Sequence, residues 1–369
     1  MPRLIFIISM PRSGSTVLQK ILSVNPDVAS TAEPWIMLPF WAMRDGQAMR
    51  AIYDHQTCSL AINDFIEDIP NGEVEFDQSI RIFAENIYRA AANGKPIFLD
   101  KTPRYYLAIP FLKRIFPDAK FVLITRNPLA VFASLCETFQ KGRFVWMDHW
   151  IDWIEGQMLI AQALRTNDAN QFVVKYEELV ESPNLFVPRL CEWLGLEFQS
   201  KMIEDYHGTN WTGRFGDPTG VHKYNAVSSA SIEKWRSFFG SSYRKRVAVK
   251  MLSYVSDDDL MSLGYPRSEL ISSLDTMKMI HGFDMRARFW GAVNSIATTF
   301  DYRYLKARWA AKNRGKSCLR LLQVLNFPRS ILIYAHLPQI HFLFWRCLYC
   351  LIPFTQVMGR FGSRVTSVP

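Results

Sequence analysis

The chain has 369 residues, 49% of them hydrophobic and 21% charged, which excludes a disordered or fibrous protein and suits one large globular domain with an appendage, or two smaller ones. The net charge of +9 belongs to the tail: residues 281–369 carry 13 Lys and Arg against only Asp284 and Asp301, leaving 30 basic and 32 acidic residues before them. The charge therefore gives no support to a nucleic-acid groove in the main body, and no nucleic-acid partner is expected.

Six scattered cysteines form no regular framework and fit a reducing compartment. Cys347-Leu-Tyr-Cys350 stands alone in an apolar run and reads as two buried thiols, so no metal is expected. At the N-terminus the apolar core of Met1–Met10 is short, and Pro11-Arg12 does not resemble a cleavage site. This stretch reads as a buried strand, Leu4–Ser9, and the protein as cytoplasmic.

A turn, Met10-Pro11-Arg12-Ser13-Gly14-Ser15-Thr16, separates that strand from a helix beginning at Val17. The turn has the form of a phosphate cradle. Gly14 permits the tight bend, amide groups converge inward, and the helix N-terminus contributes its positive dipole end. Against the nucleotide-triphosphatase loop GxxxxGK[ST], Ser9 stands for the first glycine and Ser15 for the lysine, which argues against an ATPase or GTPase. Pro96–Leu99 predicts a second strand, ended by Asp100-Lys101-Thr102-Pro103, with a helix over Tyr105–Phe116 behind it. Lys120–Ile124 predicts a third strand and Pro128–Phe139 a helix with proline in its first turn. Arg126 directly follows that strand, and Ser134 lies about two turns into the helix, a spacing at which both side chains reach one phosphate. A tryptophan-rich helix over about 147–165, a short strand at Gln171–Val174 and a helix near 184–194 come next. Residues 208–230 read as a mobile loop, Ser231–Phe239 as helix, and Asp257–Pro266 as the close of the domain. Strands alternating with helices predict an α/β fold whose P-loop-like central parallel sheet is flanked by helices, with ligands at the carboxyl ends of the strands.

With both phosphate motifs in this order, the chain resembles the sulfotransferases that use 3′-phosphoadenosine-5′-phosphosulfate (PAPS), and is closest to the bacterial and Golgi-type members. The resemblance covers about residues 4–265. It implies that Arg12, Ser13, Gly14, Ser15 and Thr16 bind the 5′-phosphosulfate and that Arg126 and Ser134 bind the 3′-phosphate. Tyr176, in Tyr176-Glu-Glu-Leu, matches a tyrosine that borders the nucleotide, and Ser231–Arg236 is similar to a late Lys-Trp helix. Lys223, with Ser228 and Ser229, lies in a loop that folds over the cofactor in such proteins. Glu33 matches the general base of the Golgi-type and tyrosylprotein members. The phenol and steroid enzymes use a histidine after Lys-Thr; here Lys101-Thr102 is followed by Pro103, which moves the base to Glu33.

The chemistry agrees with these residue types. Sulfuryl transfer resembles phosphoryl transfer, with charge growing on the leaving phosphate oxygen of adenosine 3′,5′-bisphosphate, so Arg12 and Lys101 are expected to face it. The expected acceptor is a hydroxyl, with an amine as the lesser alternative, on a small molecule, glycan or lipid-linked glycan. The rivals are a small-molecule P-loop kinase and a non-catalytic nucleotide- or membrane-binding module.

A catalytic domain over 1–266 and a mostly helical extension over 281–369 are expected. The extension alternates basic and aromatic residues and then becomes apolar over Ser330–Phe354, where Pro338, Gln339 and Arg346 spoil it as a bilayer span. Two readings stay open: a monotopic helix on anionic lipid at the inner face of a membrane, or packing against the catalytic domain or a second subunit in a homodimer.

Overall fold

The computed structural model describes residues 1–45, 48, 51, 53–145, 149–206, 230–278 and 284–300, all within one unit, Met1–Lys312. The elements in chain order are β1 (Arg3–Ser9), α1 (Ser15–Ser23), β2 (Val28–Ser30), α2 (Met37–Met43), α3 (His55–Asp68), α4 (Gly72–Ala92) and β3 (Ile97–Lys101). A 3₁₀ segment (Pro103–Ala108) leads into α5 (Ile109–Ile115), β4 (Lys120–Thr125), α6 (Pro128–Phe139), α7 (Trp150–Leu164) and β5 (Gln171–Lys175). There follow α8 (Tyr176–Glu181), α9 (Pro183–Leu194), α10 (Lys201–Glu204), α11 (Ala230–Glu233), α12 (Trp235–Phe238), α13 (Ser242–Leu252), α14 (Asp257–Ser262), α15 (Arg267–Asp275) and α16 (Met285–Phe300).

The five strands form one sheet in the order β2-β3-β1-β4-β5, every pair parallel. β1 is central because its run Leu4–Ser9 is apolar on both faces, and strand alternation then divides its side chains between two cores. On one face Phe6 and Ile8 join Phe98, Phe121 and Leu123; on the other Ile5 and Ile7 join Leu99, Val122, Ile124 and Val174. Phe6 is fully buried and stacks on Phe121 at 5.5 Å, so truncating it to alanine would cost about 3–5 kcal/mol. The core continues past residue 266, through Leu270, Leu274, Met277 and Ala287.

The α/β architecture with a parallel sheet is the one expected, and several details differ. The helix expected over Tyr105–Phe116 is divided at Ile109. Pro110 has no N–H to continue the hydrogen-bond ladder and its ring crowds the preceding turn, so a 3₁₀ turn ends and an α-helix restarts there. The helix expected over Ser231–Phe239 is likewise two short pieces, α11 and α12. β2 and the three helices α2–α4 add to the expected elements; β2 carries a single turn's worth of apolar signal, Val28-Ala29, and is placed by pairing with β3. Lys223 and nearly all of the 208–230 loop lie outside the described residues, as does the extension beyond residue 300. Among the described residues no helix is long and apolar enough to cross a membrane.

Candidate active site

Arg12–Thr16, Glu33, Lys101, Arg126 and Tyr176 fall at or just beyond a strand's carboxyl end, while Ser134 lies within α6 and Ser231–Arg236 on the short helices α11 and α12. The register aligns Ile7 of β1 with Lys101, Ser9 with Ile124, and Thr125 with Lys175, so the loops after β1, β3, β4 and β5 emerge along one edge.

The turn after β1 is built on two left-handed residues, Arg12 (φ 68°) and Gly14 (φ 90°). Gly14 is required twice over. Its φ suits glycine, and a Cβ there would stand 2.2 Å from Cδ2 of Tyr176. The tyrosine ring is thereby laid against the turn, and the Arg126 guanidinium stacks over the same ring at 4.3 Å from the centroid. Arg126 Nη1 donates to the main-chain oxygen of Arg12 at 2.8 Å, while Arg12 Nε donates to Ser134 Oγ at 3.2 Å. The two phosphate motifs, more than a hundred residues apart, therefore meet at residue 12. Ser134 is held by Arg12, a pairing that spacing along the chain does not reveal.

α6 is aimed at this point by its cap: Asn127 accepts from the amides of Leu129 and Ala130, and Pro128 occupies the first turn. Glu177 fastens the same loop. One of its oxygens accepts from the Asn127 amide at 3.0 Å and the other from the Tyr265 hydroxyl. Burial and that carboxylate push the Tyr265 phenol far above its ordinary pKa.

On the β3 side, Lys101 Nζ donates to Glu33 Oε1 at 2.7 Å, and the indole of Trp35 donates to Oε2 at 3.1 Å. Lys101 is 2% exposed and Glu33 11%, so the pair is shielded except along the carboxylate's edge. Two hydroxyls, Ser9 Oγ at the end of β1 and Ser13 Oγ in the turn, are buried with no hydrogen-bond partner among the described residues. Buried donors without acceptors, a helix N-terminus and the cations Arg12, Arg126 and Lys101 together suit a polyanionic ligand.

Residues 2–200 of this chain match the sulfotransferase family. The chain belongs to that family. This sulfotransferase is 28% identical over 300 residues to the nodulation protein NoeE of Sinorhizobium fredii, covering 73% of this chain and 67% of that protein. It is 25% identical over 206 residues to protein-tyrosine sulfotransferase A of Caenorhabditis elegans, covering 54% of this chain and 51% of that one. Among solved structures it is similar to the sulfotransferase domain of the Synechococcus PCC 7002 olefin synthase, at 23% identity and a TM-score of 0.45, over 64% of this chain and 88% of that one. The sulfotransferase domain from the curacin biosynthetic pathway is similar at 18% identity and a TM-score of 0.46, over 80% and 98%. The family sets aside the kinase and the non-catalytic module.

The sulfotransferase also brings to this edge residues outside the expected site set. The Trp35 indole bonds to Glu33, and its signal in the sequence is only adjacency to Glu33-Pro34. Asp100 is fully buried at the end of β3, and Glu177 follows Tyr176 in a segment noted for the tyrosine alone. A further buried acid, Asp152, takes a two-pronged bond from Arg104 at 2.8 and 2.9 Å and another from Tyr106, tying the 3₁₀ segment after β3 to α7.

Proposed function

We propose that the protein transfers the sulfuryl group of PAPS to a hydroxyl of a small-molecule, glycan or glycolipid acceptor, with Glu33 as general base. The observation that carries this reading is the convergence of Arg12, Ser134, Arg126 and Tyr176 on one side of β1 with the Lys101–Glu33 pair on the other. PAPS supplies an activated sulfuryl group on a good phosphate leaving group. Ser13, Gly14, Ser15 and Thr16 would cradle its 5′ end through the turn and the start of α1, and Arg126 with Ser134 would hold the 3′-phosphate.

Glu33 takes the proton of the acceptor hydroxyl, a contribution of about 10²–10⁴ in rate. As the carboxylate is neutralised its hold on the Lys101 ammonium weakens, and Lys101 becomes available to stabilise charge on the leaving oxygen, together with Arg12. Shielding of the pair keeps both charges effective, because a site without bulk water screens them less. Trp35 keeps the second carboxylate oxygen oriented while the first exchanges partners.

Calorimetric titration with adenosine 3′,5′-bisphosphate, beside Arg126→Ala and an ATP control, tests the cofactor. The expected result is tight binding to the native protein, no response to ATP, and a loss of at least about 10-fold in Arg126→Ala, as suits removal of a charge-assisted phosphate contact. Preference for ATP would overturn the reading. Glu33→Gln should bind the nucleotide as the native protein does and lose transfer to a panel of hydroxyl acceptors; retained transfer would remove Glu33 as the base.

A further inference from the structure

Asp100 stands one residue before Lys101 and points to the opposite side of β3, into the core. It is 2% exposed and accepts three hydroxyl protons: Tyr88 at 2.7 Å and Tyr105 at 2.8 Å on Oδ2, and Thr102 at 3.1 Å on Oδ1. A hydroxyl has one proton to give. With those protons committed to Asp100, the oxygens of Thr102 and Tyr105 are left to accept, and both accept from the loop that carries Glu33. Thr102 Oγ1 takes the amide of Trp35 at 3.2 Å, and the Tyr105 hydroxyl takes the amide of Met37 at 3.3 Å.

Between those two anchored amides the chain turns through Trp35 in a left-handed conformation, φ 57°, which costs a non-glycine residue about 1 kcal/mol. From that turn the Trp35 indole reaches back to Glu33 Oε2. Lys101 thus grips the carboxylate of Glu33 from its side chain, while its neighbour fixes the backbone from which Glu33 and Trp35 project.

We infer that Asp100 is a positioning residue for Glu33, acting through Thr102 and Tyr105 on the strained turn at Trp35. The inference rests on Glu33 as the proton acceptor, but its structural content is independent of that role. Direction of the hydrogen bonds is its core. Asparagine at position 100 has nearly the same shape and places an N–H₂ donor where the native residue only accepts. At least one of the three hydroxyls then faces a donor, loses the acceptor that fixed its proton and must share its oxygen between the asparagine and its other partner, so the anchor that it gives the loop weakens.

The experiment follows the ¹⁵N–¹H resonance of the Trp35 indole, assigned by its disappearance in Trp35→Phe, with the exchange rate of its proton with water. Variants Asp100→Asn, Thr102→Val and Thr102→Ser are compared, and kcat and nucleotide affinity are measured alongside. In Asp100→Asn and Thr102→Val the indole resonance should move and its exchange rise at least about 10-fold. In the same variants kcat should fall about 10- to 100-fold, with affinity for adenosine 3′,5′-bisphosphate within about twofold of native, as displacement of a reacting group predicts. Thr102→Ser, which keeps the hydroxyl, should restore both readings. An unmoved indole in Thr102→Val and Asp100→Asn would overturn the inference, and so would an indole displaced equally by Thr102→Ser. Should Asp100→Asn fail to fold, the threonine pair decides alone. If Glu33→Gln keeps its transfer rate while the indole responds as expected, the base assignment fails and the positioning relay stands.

Discussion

Substituting Gly14 by alanine probes the contact on which the nucleotide side is assembled. Two costs are separable. The left-handed backbone at φ 90° penalises any Cβ by about 1–2 kcal/mol, whatever its surroundings. The new methyl would also stand 2.2 Å from Tyr176, so the ring must retreat by about 1.2 Å to reach the 3.4 Å of ordinary contact. Tyr176 is 6% exposed and has Arg126 stacked on it at 4.3 Å, so a displaced ring disturbs its contact with the arginine. Loss of that cation–π contact and misplacement of one charge-assisted phosphate bond come to about 2–3 kcal/mol, or roughly 30- to 150-fold in affinity. Calorimetry with adenosine 3′,5′-bisphosphate on Gly14→Ala, Tyr176→Ala and the double variant closes a double-mutant cycle. Without the ring the added methyl has nothing to strike, so in the Tyr176→Ala background Gly14→Ala should cost only its backbone share. Additive losses would show that the turn and the ring act independently, and the reasoning would be wrong.

Burial pushes the Asp100 carboxyl up to about 6, against hydrogen bonds from Tyr88, Tyr105 and Thr102 that favour the ionised form. Between about pH 4 and 6 the folded chain then holds a proton that the unfolded chain has released, so this group's contribution to stability falls as pH rises, by about 3 kcal/mol across the window. Denaturant unfolding of native protein and Asp100→Asn at pH 4 to 7 should show the gap shifting toward the variant over that range; a constant gap would refute the assignment. Asp152 behaves oppositely. Burial opposes its ionisation, but His149, Arg104 and Tyr106 prevail and hold its pKa below the ordinary value, so its stabilisation is present above about pH 4 and lost as pH falls. Asp152→Asn should cost about 2–3 kcal/mol at pH 7, measured by urea unfolding, because the partly exposed Arg104 loses the charge that pairs with it and meets an N–H₂ donor where the second oxygen accepted.

Asp100 shows why stability and positioning pull apart here. Burial disfavours its charged form, yet the carboxylate is the form that accepts from all three hydroxyls, two of which accept from the amides of Trp35 and Met37.

What could be read from the sequence was local. Leu4–Ser9 announces a strand covered on both faces, and Pro128–Phe139 agrees with the helix observed because proline sets its start and Asn127 caps it. The turn after β1 and the pair Arg126 and Ser134 stood out by residue type and spacing, whereas Glu33 and Lys101 were singled out only through the family resemblance. Pairings were not legible. That Ser134 meets Arg12, or that Gly14 lies under Tyr176, depends on strand order, and sequence separations of 122 residues and more leave no periodic trace. The turn at Trp35 was hidden for another reason: nothing in a tryptophan's own preferences marks a left-handed backbone, which here is imposed by two amide anchors. β2 and the polar-faced helices α3 and α4 were lost because a three-residue strand is too short to show alternation and the helices expose apolar residues such as Phe65 and Ile82.

The tie from Glu177 to Tyr265 spans 88 residues of chain. During synthesis the phosphate-binding turn, Arg126 and Tyr176 all leave the ribosome well before the tyrosine that fastens their loop. A nascent chain halted near residue 200, where the family match ends, already carries Arg12, Arg126, Ser134 and Tyr176, and lacks the Tyr265 hydroxyl that braces Glu177 against the loop of Asn127. Under the proposed function, affinity for nucleotide should therefore rise late as the chain lengthens, once Tyr265 has joined Glu177.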